Sequence, residues 1–240
     1  MNIYLVRHGE TDLNVSGVFY GHIDCDINEK GKKQAYRVGE FLKDIKFDFV
    51  YTSPLKRAKH TAEIILGINK FAPKSFVENE SENESENADS FQFITDIRLK
   101  EIGFGIWESL SVNEIISLDK DFWEEYFKGW PNVAPPSGES FMFFLERVKS
   151  FFNDIIDIRR SDDKTNILIV AHHGPLALMP VFALNLNVND YWKFKIDQGV
   201  YSLISTNKNG SIIKKEKEYE YEYEKEKEYE YVLKLLNCSR

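Results

Sequence analysis

The residues equipped for chemistry are few, and they sit where apolar runs end. "LVRHGET" (residues 5–11) closes the short hydrophobic stretch "MNIYLV" with Arg7 and His8, and Gly9 follows at once. "FVYTSPLKR" closes a second stretch at Ser53 and brings Arg57 about one turn later. "ILIVAHHGP" closes a third with His172 and His173, ahead of Gly174 and Pro175. If these runs are parallel strands of one sheet, their carboxyl ends share an edge, and open α/β sheets bind ligands there. Two arginines and two histidines on one edge suit a dianionic phosphate. Arginine offers planar, bidentate donors, helix N-termini add favourable dipole ends, and a histidine among them could attack phosphorus to form a phosphohistidine. Any one of these pairs alone would be the polar start of a surface loop; three together are not. The residues leave open whether His172 or His173 faces the phosphate, and the position directly after the strand favours His172.

Such a site needs a scaffold, and strand–helix alternation supplies one. "NEKGKKQAYRVGEFLKD" has the apolar spacing of an amphipathic helix, with Asn28 as its cap. "PLKRAKHTAEIIL" predicts a helix with Pro54 at its first position. "GESFMFFLERVKSFFNDIIDIRR" predicts a long amphipathic helix, followed by the strand "NILIVA" and the helix "PLALMPVFALNL". Repeated βα units imply an α/β fold of three layers, α/β/α, with a mostly parallel central sheet covered on both faces. No repeat of 20–50 residues is visible.

At 240 residues and 42% hydrophobic content the chain can bury a full core, and a single domain spanning 1–240 is expected. The net charge of −8 is concentrated in two low-complexity segments. Residues 78–90, "ENESENESENADS", carry −6, and residues 214–231, "KKEKEYEYEYEKEKEYEY", carry −3, so the rest of the chain stands at +1. The acidity therefore says little about the substrate. The first segment has nothing apolar to bury and is expected to be a solvated loop. The second alternates at period two, as an exposed strand or extended hairpin does, with a charged helix as the competing reading; flanking "YSLIS" and "YVLKLL" and the turn "NKNG" favour the strand. The first residues show no basic-then-apolar leader, and Cys25 and Cys238, the only cysteines, have no metal or redox spacing. A reducing, cytoplasmic setting is expected. The longest apolar stretch, residues 167–186, is interrupted by two histidines and Gly-Pro and suits a strand, a turn and a buried helix better than a membrane span.

On "LVRHGET" with Asn14, "YTSPLKRAKHTAEII", "RLKEIGFGIWESL", "PPSGESFMFFLERV" and "ILIVAHHG", the chain resembles the histidine phosphatase, or phosphoglycerate mutase-like, superfamily over nearly its whole length. The resemblance implies that His8 is the nucleophile, that Arg7, Arg57 and His172 bind the phosphoryl oxygens with Asn14 as an additional donor, and that Glu101 protonates the leaving oxygen and then activates water. These roles agree with what phosphoryl transfer demands, which is positioning and charge stabilisation with one carboxyl group serving as acid and then base. It implies no cofactor and no metal, the arginines supplying the neutralising charge. The expected partner is a small phosphorylated metabolite, with neither nucleic acid nor membrane involved.

Within the family, mutases carry a basic segment after the second arginine motif; "LKEIGFGIWESL" is compact and lacks it, which favours a phosphatase. "PPSGESFMFFLERV" and "YWKFKIDQGVYSLI" are similar to the small cobalamin-pathway members that act on α-ribazole 5′-phosphate. A mutase, a broad-specificity phosphatase and a non-catalytic phosphate-sensing or protein-binding module are the alternatives. Glu108 and Asp12 are the next candidates for the acid, while His22 and His60 are expected at the rim or in structural roles. Trp107, Trp123, Phe127 and Trp130 fit either an apolar substrate wall or core.

Overall fold

The computed structural model describes residues 1–72, 92–159, 165–206 and 231–236. Six strands form one sheet: β1 (Asn2–Arg7), β2 (Phe49–Thr52), β3 (Gln92–Thr95), β4 (Asn166–Ala171), β5 (Tyr201–Thr206) and β6 (Tyr231–Leu236). Their spatial order is β3-β2-β4-β1-β5-β6. β1 to β4 run parallel, β5 is antiparallel to β1, and β6 is antiparallel to β5. Thr206 pairs with Tyr231, so "YSLIS" and "YVLKLL" are antiparallel neighbours. The segments 78–90 and 214–230 lie outside the described residues.

The strands bury both faces, which is why they read as unbroken apolar runs. Ile3 and Leu5 of β1, with Ile167, Ile169 and Ala171 of β4, face one core cluster; Tyr4, Val6, Leu168 and Val170 face the other. Helix α6 (Phe141–Arg159) fills the first with Phe141, Phe144, Val148, Phe151 and Ile155, a spacing of three and four residues that keeps them on one stripe. Helix α7 (His173–Ala183) covers the same face. Helices α2 (Glu29–Leu42) and α3 (Lys56–Ile68) cover the opposite one through Val38, Leu42, Ala62, Ile65 and Leu66. The three-layer α/β/α architecture with a mostly parallel sheet is thus present.

Asn28 caps α2, its side chain accepting from Gly31 N. Helix α3 begins two residues later than Pro54 predicts, because Leu55 keeps an extended backbone (φ −73°, ψ 138°) and serves as the cap position. Helix α7 begins earlier than expected, at His173. The sequence reading missed β3, helix α4 (Val112–Leu118), helix α5 (Lys120–Gly129) and a short helix just after β1. The short helix α1 (Asp12–Ser16) follows β1 directly and is closed by a capping box between Thr11 and Asn14.

Candidate active site

The carboxyl ends of β1, β2 and β4 lie side by side, as register Arg7↔Ala171 and Thr52↔Val170 requires. His8, Ser53 and His172 follow these ends directly, and all three are buried. The His8 and His172 rings are 5.1 Å apart between centroids. His8 Nδ1 lies 2.8 Å from the Gly9 carbonyl. A carbonyl only accepts, so Nδ1 carries the proton and Nε2 keeps its lone pair. Burial, and next the Arg57 guanidinium, hold His8 well below the usual imidazole range. A neutral imidazole with a free Nε2 is a competent nucleophile.

Arg57 is fully buried on the first turn of α3. Its Nε donates to His172 Nδ1 (3.2 Å), Nη1 to the Ile23 carbonyl (2.7 Å) and Nη2 to the Gly21 carbonyl (2.8 Å), and its plane lies over the Tyr20 ring. Because Arg57 only donates, His172 must accept on Nδ1; its Nε2–H then donates to Ser53 Oγ at 2.8 Å. Burial first, then Arg57 and His8, also keep His172 neutral. Among the described residues no carboxylate pairs with Arg57 or Arg7. Burying a guanidinium without a counter-charge is costly, and for Arg57 two backbone carbonyls and the His172 ring take the place of a carboxylate. Arg7 donates Nη1 to the Ile196 carbonyl at 3.1 Å, and its buried Nε has no partner among the described residues.

Asn14 accepts on Oδ1 from Thr11 N and from Gln198 Nε2, at 3.1 and 2.9 Å, which leaves its amide nitrogen as the donor. Glu101 accepts on Oε2 from Gly174 N in the first turn of α7 (3.1 Å) and on Oε1 from Ile102 N (3.0 Å). A Cβ at Gly174 would overlap the Glu101 carboxylate and crowd the Phe144 ring, so a larger residue there would displace the carboxylate. Glu108 is occupied otherwise: its oxygens accept from His22 N, Ile23 N and Phe104 N, so it holds the same loop that Arg57 grips from the other side. Asp12 accepts from Asn28 Nδ2 at the surface.

His173 stands apart from the His8–His172–Arg57 contacts, although Glu101 and Arg7 are among the charges that reach it. His172 still has extended backbone (φ −118°, ψ 170°), whereas His173 begins the helix, turning away to bond the backbone of Ile196 beside Tyr191. His60 pairs with Asp26 at the rim (2.8 Å), and His22 Nε2 contacts the Glu101 carbonyl (3.1 Å). Trp107 is buried against Phe19 and the half-buried Phe122, Trp123 and Tyr126, whereas Phe127, on Trp123 and Tyr126, is exposed. Trp130 instead packs on Phe141 and on Trp192, next to Tyr191.

The family model of the histidine phosphatase superfamily (branch 1) matches residues 3–79 and 82–218. The chain belongs to that superfamily. This histidine phosphatase is a hydrolase of phosphomonoesters, and its substrate is a phosphorylated small molecule. It is similar to the adenosylcobalamin/α-ribazole phosphatase of Salmonella typhimurium, 32% identical over 89% of this chain and 95% of that one. It is also similar to phosphoserine phosphatase 1 of Hydrogenobacter thermophilus, 27% identical over 90% of this chain and 91% of that one. The crystal structure of the α-ribazole phosphatase from Shigella flexneri superposes with a TM-score of 0.72 at 30% identity, covering 86% of this chain and 91% of that one.

Sequence reasoning missed several residues that the phosphatase places around its strand ends. Thr61 accepts from Gly9 N and donates to the Arg57 carbonyl, tying the two strand-end motifs together. Its position four after Arg57, on the same helix face, was the available signal. Gln198, Glu139 and Arg147 lie inside stretches that carry the resemblance, but most of their partners are backbone groups or lie far away in sequence, so no role could be read for them. Among the described residues no cluster of three His, Cys, Asp or Glu side chains is placed to hold a metal ion, and no helix is long and apolar enough to cross a membrane.

Proposed function

We propose that this histidine phosphatase hydrolyses α-ribazole 5′-phosphate through a phosphohistidine on His8. The observation that carries the mechanism is the neutral His8 with Nε2 free, set beside the buried Arg57 and the half-buried Arg7, neither of which has a carboxylate partner among the described residues. His8 Nε2 donates its lone pair to phosphorus, and the ester P–O bond breaks with its electron pair on the leaving oxygen. Glu101 gives that oxygen a proton. Arg7, Arg57 and the Asn14 amide hold the equatorial oxygens, where charge must be balanced throughout the transfer. His172, kept neutral and bonded to Arg57 and Ser53, completes the wall of the phosphate site. In the second half-reaction Glu101, now a carboxylate, takes a proton from water; the water oxygen bonds to phosphorus, the P–N bond breaks, and its pair returns to Nε2.

Support for this substrate comes from the similarity to α-ribazole phosphatases over most of both chains. A second support is the aromatic wall of Tyr191, Trp192 and Trp130, which begins beside Glu101 and keeps Trp192 67% exposed. Such a wall suits a leaving group that carries an aromatic base. The test is kcat/KM, with a chelator present, for α-ribazole 5′-phosphate, phosphoserine, p-nitrophenyl phosphate, and 3-phosphoglycerate with and without its bisphosphate. The expected result is hydrolysis, highest for α-ribazole 5′-phosphate. Equal values across the panel make the enzyme a broad-specificity phosphatase, isomerisation of 3-phosphoglycerate makes it a mutase, and phosphate binding without turnover makes it a sensing module; each overturns the assignment.

A further inference from the structure

Arg147 of α6 has an unusual set of partners for a half-buried arginine. Nη1 donates to the carbonyls of Arg98 (2.7 Å) and Lys100 (2.8 Å), Nη2 donates to the carbonyl of Glu101 (2.9 Å) and to Glu139 Oε2 (2.7 Å), and Nε donates to Glu139 Oε1 (2.7 Å). All five N–H groups of the guanidinium are therefore spent, and none is left for a substrate. The Arg147 plane rests on the fully buried ring of Phe144 at 4.9 Å, which fixes it to the core. Glu139 in turn grips the chain just beyond Glu101: its N–H donates to the Gly103 carbonyl (2.8 Å) and its Oε2 accepts from Gly103 N (3.4 Å). The carbonyls of Arg98, Lys100 and Glu101 and the backbone of Gly103 are thus clamped, and the Glu101 side chain departs from this clamped stretch.

We propose that the Glu139–Arg147 pair is the positioning device of the proton donor. The proposal rests on the reading of Glu101 as that donor. Among the described residues segment 98–103 pairs with no strand; Leu99 and Ile102 tie it to the core, and the fork of Arg147, anchored in α6, fixes the carbonyls around Glu101. It presents the Glu101 carboxylate to the first turn of α7, where Gly174 N receives it. Lysine keeps the charge but concentrates its donors at one point, so it cannot hold three carbonyls and a bidentate carboxylate together. A displacement of the acid by about 1 Å costs on the order of 10²-fold in the step that uses it.

The experiment measures the rate of enzyme phosphorylation in single turnovers, with an alkyl phosphate such as glycerol 3-phosphate and with p-nitrophenyl phosphate, whose leaving phenolate scarcely needs a proton. Arg147→Lys is expected to slow the alkyl ester by about 10- to 100-fold and the aryl ester only a few-fold. In the Glu101→Gln background, Arg147→Lys is expected to add no further loss on the alkyl ester, since a donor that has been removed cannot be misplaced. Equal loss on both esters, full additivity with Glu101→Gln, or no loss at all overturns the positioning role. Glu101→Gln alone separates the two claims: without a preferential loss on the alkyl ester the donor assignment fails, and the device falls with it. Should Arg147→Lys not fold, Glu139→Gln, which weakens the same clamp, is read by the same criteria.

Discussion

Two histidines held neutral in the interior tie stability to pH. His8 and His172 are buried beside Arg57 and Arg7, and burial is the main cause of their depressed ionisation. In the unfolded chain each titrates near the ordinary value of about 6.5. Because the native pKa values are lowered, the unfolded chain binds more protons on acidification, and stability falls as pH drops below about 6.5. For a histidine that stays neutral in the fold, going from about pH 7.5 to 5.5 costs about 1.4 kcal/mol, and the pair costs about 3 kcal/mol. That is a large part of the 5–15 kcal/mol typical of a domain. His22 and His173 are also lowered by burial and add to the total. The test is urea denaturation of the wild type and of His172→Gln at both pH values. Whatever the variant loses at neutral pH, it should lose about 1.4 kcal/mol less than the wild type on acidification, because contributions from other groups cancel. Parallel losses in the two proteins would refute a neutral, buried His172.

The remaining expectations concern the charge cradle, the acid and the core. Arg57→Lys removes the fork that bonds Gly21, Ile23 and His172, and kcat/KM for p-nitrophenyl phosphate should fall by about 10²–10³-fold; a loss below about tenfold would mean Arg57 is structural. Gly174→Ala places a methyl group against the Glu101 carboxylate and should slow phosphorylation by alkyl phosphates more than by aryl phosphates, with equal slowing counting against the contact. Phe144→Ala empties a fully buried site under Arg147 and should cost about 3–5 kcal/mol in urea unfolding; less than about 1 kcal/mol would show that the core collapses into the gap.

Much of this molecule was legible because its parallel strands are buried on both faces and end abruptly in polar residues. Arg7–His8, Ser53–Arg57 and His172 are assignable to one sheet edge from the sequence alone, and they do meet there. The choice between His172 and His173 turned on where α7 begins, since a one-residue shift of a helix start swings a side chain to another face. Glu101 and Glu108 lie on one segment with similar surroundings in sequence; three backbone N–H partners claim Glu108, and only the fold shows them. The pair α4 and α5 was missed although Ser111 and Glu114 form a capping box, because the single residue Asp119 ends one helix and caps the next. Arg147 was invisible for a different reason: a side chain that binds carbonyls leaves no pattern in the residues it binds.

The central claim is that His8 carries the phosphoryl group, and a trapping measurement tests it most directly. A single turnover with radiolabelled substrate is quenched in base, digested and mapped. The expected result is an acid-labile, base-stable label on His8, absent from His8→Ala although that variant keeps its fold. A label on His172 or Ser53, or turnover that persists in His8→Ala, would contradict it.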